Sequence, residues 1–185
     1  HIPTKNVLRT VRAFELFCSM YGKSDIHFVH VGSRSDDSPK LDAIVERSPV
    51  KDRIYLVGYV DQGDLAALYS AAFALVFPIL NEGFGLPAIE AMACGTPAIL
   101  SKTAAPEIVQ GEAMLVDVLS EKEIAEAMYA LANDAHLPIA IAVVLVPQST
   151  QRGAAVIVRE QLGQHHDAAT RAAQPVAELV VLIAH

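Results

Sequence analysis

Ala74-Leu75-Val76-Phe77-Pro78-Ile79-Leu80-Asn81-Glu82-Gly83-Phe84-Gly85-Leu86-Pro87-Ala88-Ile89-Glu90 reads as an apolar strand, a glycine loop and the start of a helix. The strand candidate, Ala74–Pro78, is apolar at every position, as a strand covered on both faces must be. Two glycines let the backbone turn tightly and come close to a ligand. Pro87 suits the first position of a helix, whose start offers unpaired N–H groups and the positive end of the dipole. The stretch therefore has the form of an anion cradle at the carboxyl edge of a parallel sheet, where open α/β sheets bind their ligands.

The same alternation continues outward. Strands are expected at His27–Gly32, Arg53–Val57, Pro97–Ser101 and Ala113–Asp117. Helices are expected at Asn6–Tyr21, Leu41–Arg47, Leu65–Ala72, Pro87–Cys94 and Glu121–Asn133. Strands alternating with helices predict β-α-β units and an α/β, Rossmann-like three-layer domain with a parallel sheet. Local signals agree. Asp61 can cap the helix after it, with Asp64 charging its first turn. Ser120 and Glu123 have capping-box spacing. Gly95 stands just past a helix end, where a left-handed residue is wanted.

Bulk properties bound the function. The chain has 185 residues, 52% of them hydrophobic, enough for one core. Its net charge of -7 argues against non-specific nucleic-acid binding. The two cysteines, Cys18 and Cys94, have no paired spacing and read as buried thiols in a reducing compartment. No apolar run approaches the roughly 20 residues of a membrane span. No signal peptide opens the chain, which starts at His1 without a methionine, as a fragment would. His165-His166-Asp167 are adjacent and lack the spacing of metal ligands.

Glu90 is the sharper clue. It is the only charged residue from Phe84 to Leu100, among Ala88, Ile89, Ala91, Met92 and Ala93. A carboxylate in so apolar a helix has a buried flank and needs partners. Ligand hydroxyls would serve, and so would plain solvent if Glu90 were merely the exposed residue of a short helix. Glu82 lies just before the glycines. Two carboxylates on either side of a phosphate cradle suit a ligand with hydroxyls at both ends, such as a nucleotide-sugar.

Glu82 and Glu90 stand eight apart in an E-G-F-G-L-P-x-x-E-A-M-A-x-G-x-P frame. This resembles the E-x7-E signature of retaining glycosyltransferase family four, whose enzymes have the two-domain GT-B fold. Thr4-Lys5-Asn6-Val7-Leu8 looks like the start of the donor domain's first helix. Val57-Gly58-Tyr59-Val60 and Leu65-Ala66-Ala67-Leu68-Tyr69 look like the base-binding turn and its helix. Ala105-Pro106-Glu107-Ile108 looks like the family's P-E-[IV] segment. The likeness runs from about residue 3 to about residue 135.

The resemblance implies a nucleoside-diphosphate-sugar donor, hexosyl transfer with retention, and no metal or other cofactor. It implies that Glu90 accepts the ribose hydroxyls and Glu82 contacts the transferred sugar. N–H groups of Gly83, Phe84, Gly85 and Leu86 would face sugar and phosphate. Lys5 would neutralise the leaving diphosphate, and Tyr59 and Val60 would grip the base. The implied partners are a sugar, lipid-linked or glycan acceptor and a missing N-terminal acceptor domain or partner chain. The implied location is cytoplasmic, with at most peripheral contact on the inner face of the membrane.

The chain also departs from the family pattern. The glycine-arginine pair ahead of Lys5 is absent, and so is the mid-sheet strand that normally precedes this helix. A central gap would leave two rows of backbone groups unpaired. The final apolar run, Leu179–Ala184, could fill it, and would then lead towards Pro3-Thr4-Lys5 in the order of a circular permutation. Residues 1–136 are thus expected to form the nucleotide-sugar domain and 137–185 a divergent tail that lends it a strand or helix. The family's charged closing helices are missing from that tail.

Two other readings stay open. One is a non-catalytic or degenerate nucleotide-sugar-binding module. The other is a dinucleotide-binding oxidoreductase domain, because Gly83-x-Gly85-x-x-Ala88 fits G-x-G-x-x-G/A formally. That fingerprint belongs in the first β-α-β unit, whereas here several units precede it.

Overall fold

The structure is a computed structural model, and it describes residues 6–22, 26–33, 38–80, 85–103, 113–133 and 178–183. Among the described residues, five helices and six strands follow in chain order: α1 (Val7–Tyr21), β1 (Ile26–Val31), α2 (Ser38–Arg47), β2 (Ile54–Gly58), α3 (Gln62–Ala71), β3 (Ala74–Phe77), α4 (Leu86–Ala93), β4 (Ala98–Ser101), β5 (Met114–Val116), α5 (Glu121–Ala132) and β6 (Glu178–Ile183). A single 3-10 turn, Lys51–Arg53, leads into β2.

The six strands form one sheet in the order β2-β1-β6-β3-β4-β5, and every pairing is parallel. Two hydrophobic clusters cover it. Ala74 and Val76 of β3 face the side of α1, α2 and α5, while Leu75 and Phe77 face the side of α3 and α4. The two-residue period of a strand thus places apolar groups on both faces. On the first face Phe14 packs against Phe17 and Phe28, with ring centroids 5.9 and 5.5 Å apart.

β6 is the unusual element. It pairs with β1 over its whole length, Ile26 with Glu178 through Val31 with Ile183, and with β3 at Val180 and Val181. A segment distant in sequence therefore closes the ladder between β1 and β3, where unpaired backbone would be costly. With β6 counted first, the order is that of a doubly wound sheet, whose winding reverses beside β3. The chain ends themselves, His1 and His185, lie outside the described residues.

Several local expectations need adjustment. Asp61 does occupy the N-cap of α3 in extended conformation, but its side chain makes no cap bond; the Asp64 N–H instead donates to the Asp61 carbonyl at 2.9 Å. This turn also starts α3 at Gln62, three residues before the expected Leu65. Pro87 is the second residue of α4 rather than the first, because Gly85 (φ 74°) takes the cap and Leu86 opens the helix. Cys18 is buried, and desolvation pushes its thiol up to about 11, whereas Cys94 is only half-buried. Gly95 does take the left-handed conformation expected after α4, at φ 79°.

Candidate functional site at the carboxyl edge

The carboxyl ends of β3 and β5 are joined by one side chain. Asn6, at the N-cap of α1, is 6% exposed, and its Nδ2 donates to the Pro78 carbonyl at 2.9 Å and the Val118 carbonyl at 2.8 Å. Pro78 directly follows β3, and Val118 stands two residues past β5. The start of α1 is thereby tied across the edge at which the winding reverses. Asn6 has φ 56°, the only non-glycine positive φ among the described residues. Asparagine tolerates that left-handed region better than branched residues do. Arg9 reaches back one turn and donates to Asn6 Oδ1, which orients the carboxamide with its NH2 towards the two carbonyls.

On the other face, α4 starts from Gly85 at the end of the loop after β3. Pro87 has no N–H, and Ala88 donates its own to the Gly85 carbonyl at 3.0 Å. Within the first turn of α4 this leaves the N–H of Leu86, whose side chain is exposed, facing the helix mouth without a carbonyl of its own turn. One turn further in, Glu90 is half-buried, and its Oε2 accepts a hydrogen bond from the Tyr69 hydroxyl of α3 at 3.0 Å. Burial first, and then the bond and charge of Glu90, push the Tyr69 phenol well above its usual range, so it stays a donor.

The remaining anticipated residues are spread along the edge. Tyr59, directly after β2, is 71% exposed, while Val60 is buried. β2 lies three strand spacings from β3, about 14 Å at ordinary sheet geometry. Lys5, Glu82, Gly83, Phe84 and Glu107 lie outside the described residues, as does His165-His166-Asp167. Among the described residues, no cluster of three or more His, Cys, Asp or Glu side chains could hold a metal ion. None of their helices is long and apolar enough to cross a membrane.

Sequence reading missed Asn6 and Tyr69 as parts of this edge. Asn6 carried a signal, since Asn is favoured where the chain must turn left-handed. Tyr69 carried one only when read together with Glu90, as a hydroxyl and a carboxylate on two helices of the same sheet face.

The family model described as Glycosyl transferases group 1 matches residues 1–134. The chain belongs to this family. It is similar to the O-antigen chain mannosyltransferase B of Escherichia coli, 39% identical over 115 residues, which cover 62% of this chain and 30% of that protein. Among solved structures it resembles the N-terminal domain of Candida albicans trehalose-6-phosphate phosphatase, with a TM-score of 0.59, 16% identity, and coverage of 88% of this chain and 35% of that one. It also resembles WaaG, a glycosyltransferase involved in lipopolysaccharide biosynthesis, with a TM-score of 0.51, 15% identity, and coverage of 77% and 45%. At such identities these two likenesses speak for the fold alone: an α/β domain with a parallel sheet and flanking helices, consistent with a Rossmann-like GT-B half-domain. The chain spans about a third of the length of the curated relatives it matches.

Proposed function

We propose that the chain is the donor-binding domain of a retaining family-four glycosyltransferase, holding a nucleoside-diphosphate sugar at the carboxyl edge of its sheet. The observation that carries this reading is Glu90: a half-buried carboxylate on an apolar helix, held on one oxygen by a buried phenol, one turn inside a glycine-started helix beside β3. Glu90 accepts the ribose hydroxyls, and Glu82 contacts the transferred sugar. Backbone N–H groups from Gly83 to Leu86 meet sugar and phosphate, Lys5 balances the diphosphate, and Tyr59 and Val60 grip the base. Residues 1–136 form the nucleotide-sugar unit, and the divergent tail, residues 137–185, lends it the strand β6 (Glu178–Ile183).

The chemistry is departure of a nucleoside diphosphate from an anomeric carbon. Negative charge grows on the leaving phosphate, so a fixed cation and preorganised N–H dipoles lower the barrier. Such a step calls for no metal, and front-face attack by the acceptor retains configuration without a protein nucleophile. The acceptor is a sugar, a lipid-linked sugar or a glycan, presented by an N-terminal domain or a partner chain. The reaction takes place in the cytoplasm, with at most peripheral membrane contact. Binding of the donor is the property assigned to these 185 residues.

A thermal-shift panel of UDP, GDP, UDP-glucose, GDP-mannose and NADH tests the reading. Relatedness to a mannosyltransferase makes GDP-mannose the first donor to try. A rise in melting temperature with one nucleoside diphosphate and its sugar, and none with NADH, is the expected result. A response to NADH alone would transfer the site to dinucleotide chemistry, and no response to any of the five would remove the donor site.

A further inference from the structure

Glu90 has a long side chain with three rotatable bonds, yet a ligand contact demands that its carboxylate wait in one place. Tyr69, on α3, supplies the restraint. Its side chain is 1% exposed, packed in the cluster between the sheet and helices α3 and α4. Its hydroxyl donates to Glu90 Oε2 at 3.0 Å, and its carbonyl accepts a hydrogen bond from Thr96 Oγ1, in the turn that follows α4. The same residue thus grips α4 at its central carboxylate and at its exit. A further backbone bond, Thr96 N–H to the Ala91 carbonyl at 2.9 Å, closes that exit onto the helix.

The chemistry of the pair is one-sided. An ionised carboxylate only accepts, and a phenol has one proton to give. That proton occupies one lone pair on Oε2. Oε1 keeps its full accepting capacity, and two vicinal hydroxyls need just such a pair of acceptor sites on one rigid carboxylate. A lysine or arginine in the place of Tyr69 would have drawn Glu90 into an ion pair and competed with the ligand. A neutral, buried phenol fixes the rotamer and leaves the charge in place.

We propose that Tyr69 is a positioning residue for the nucleotide ribose, acting through Glu90: it presents the Glu90 carboxylate with Oε1 turned to the two ribose hydroxyls. This rests on the reading of Glu90 as the ribose contact. The site is therefore selective for ribose over deoxyribose because α3 and α4 are locked together.

The test uses the full chain and calorimetric titration with GDP, UDP and their 2′,3′-dideoxy counterparts. Wild type binds one ribonucleoside diphosphate about 10-fold or more tighter than its dideoxy form, the worth of one or two charge-assisted hydrogen bonds. Tyr69→Phe, which deletes one oxygen, reduces that preference about 3-fold or more, and Glu90→Gln combined with Tyr69→Phe loses no more than Glu90→Gln alone. A purely structural Tyr69 would lower the melting temperature and leave the ribose preference whole, which would overturn the inference while the Glu90 reading stood. A wild type that does not distinguish ribose from dideoxyribose would overturn the Glu90 reading itself, and this inference with it. Should Tyr69→Phe fail to fold, Thr96→Val releases the other tie on Tyr69. A reduced preference in that variant supports the proposal, and an unchanged one counts against it.

Discussion

Two glutamates on successive helices differ in how far the fold itself satisfies their carboxylates. Glu123, in the first turn of α5, is satisfied by its own neighbourhood. Its Oε2 accepts the Asp117 N–H at 3.0 Å and the Lys102 ammonium at 2.7 Å. The backbone hydrogen bond from Asp117, and then the bond from Lys102, hold its carboxyl below the usual glutamate range. Its N–H donates to Ser120 Oγ at 3.1 Å, which caps the helix. Glu90 has a buried phenol on one oxygen and an apolar helix around it. The first carboxylate closes a helix start. The second stands one turn inside a helix start that is capped by a glycine and by no side chain.

The contrast can be broken at several points. The largest effect is expected at Asn6, which ties together the carboxyl edge of the sheet. Asn6→Leu would leave the Pro78 and Val118 carbonyls without their donor and force a branched side chain into the left-handed region, costing about 3 kcal/mol or more in urea unfolding. Acid comes next. Burial lowers His30 on β1 to about 4, and among the described residues nothing hydrogen-bonds its Nε2. Below pH 6.5 the unfolded chain takes up the proton that the folded chain refuses. Stability should therefore fall from about pH 6.5 to pH 4, by up to about 3 kcal/mol. His30→Leu should flatten that slope in pH-dependent thermal unfolding.

Binding and stability should then separate. Glu90→Gln should weaken nucleoside-diphosphate binding by about 1–3 kcal/mol in calorimetry, with little change in melting temperature. Ser120→Ala should do the reverse, lowering stability by about 1 kcal/mol and leaving ligand affinity unchanged. If both variants moved both quantities together, the distinction between the two carboxylates would fail.

Much of the fold was legible because its signals are local. Short apolar runs such as Ala74–Pro78 and Pro97–Ser101, set between helix-length segments, read as strands buried on both faces, and the Ser120 cap follows from a four-residue pattern. The capping box was half right: Ser120 caps Glu123, but Glu123 turns to Asp117 and Lys102 instead of reaching back, and the Ser120 N–H donates to the Asp117 carbonyl. The start of α3 was misjudged because the Asp61 turn is made by backbone rather than by side chain. Glu90 stood out through its apolar neighbours, whereas Tyr69 lies 21 positions away and joins it only when two helices pack on the same sheet face. Asn6 joins residues 72 and 112 positions distant, a geometry that no local pattern encodes. The strand role of the last apolar run was readable from its composition. Its place between β1 and β3 could be argued only from the gap it would fill.

A structure of the chain solved with its nucleoside diphosphate bound tests the donor-site reading most directly. The ribose hydroxyls should lie about 2.6–3.0 Å from Glu90 Oε1, with Tyr69 still on Oε2 and the diphosphate at the mouth of α4 beside the start of α1. A nucleotide bound elsewhere on the surface, or bound at this edge with Glu90 turned away from the sugar, would contradict it.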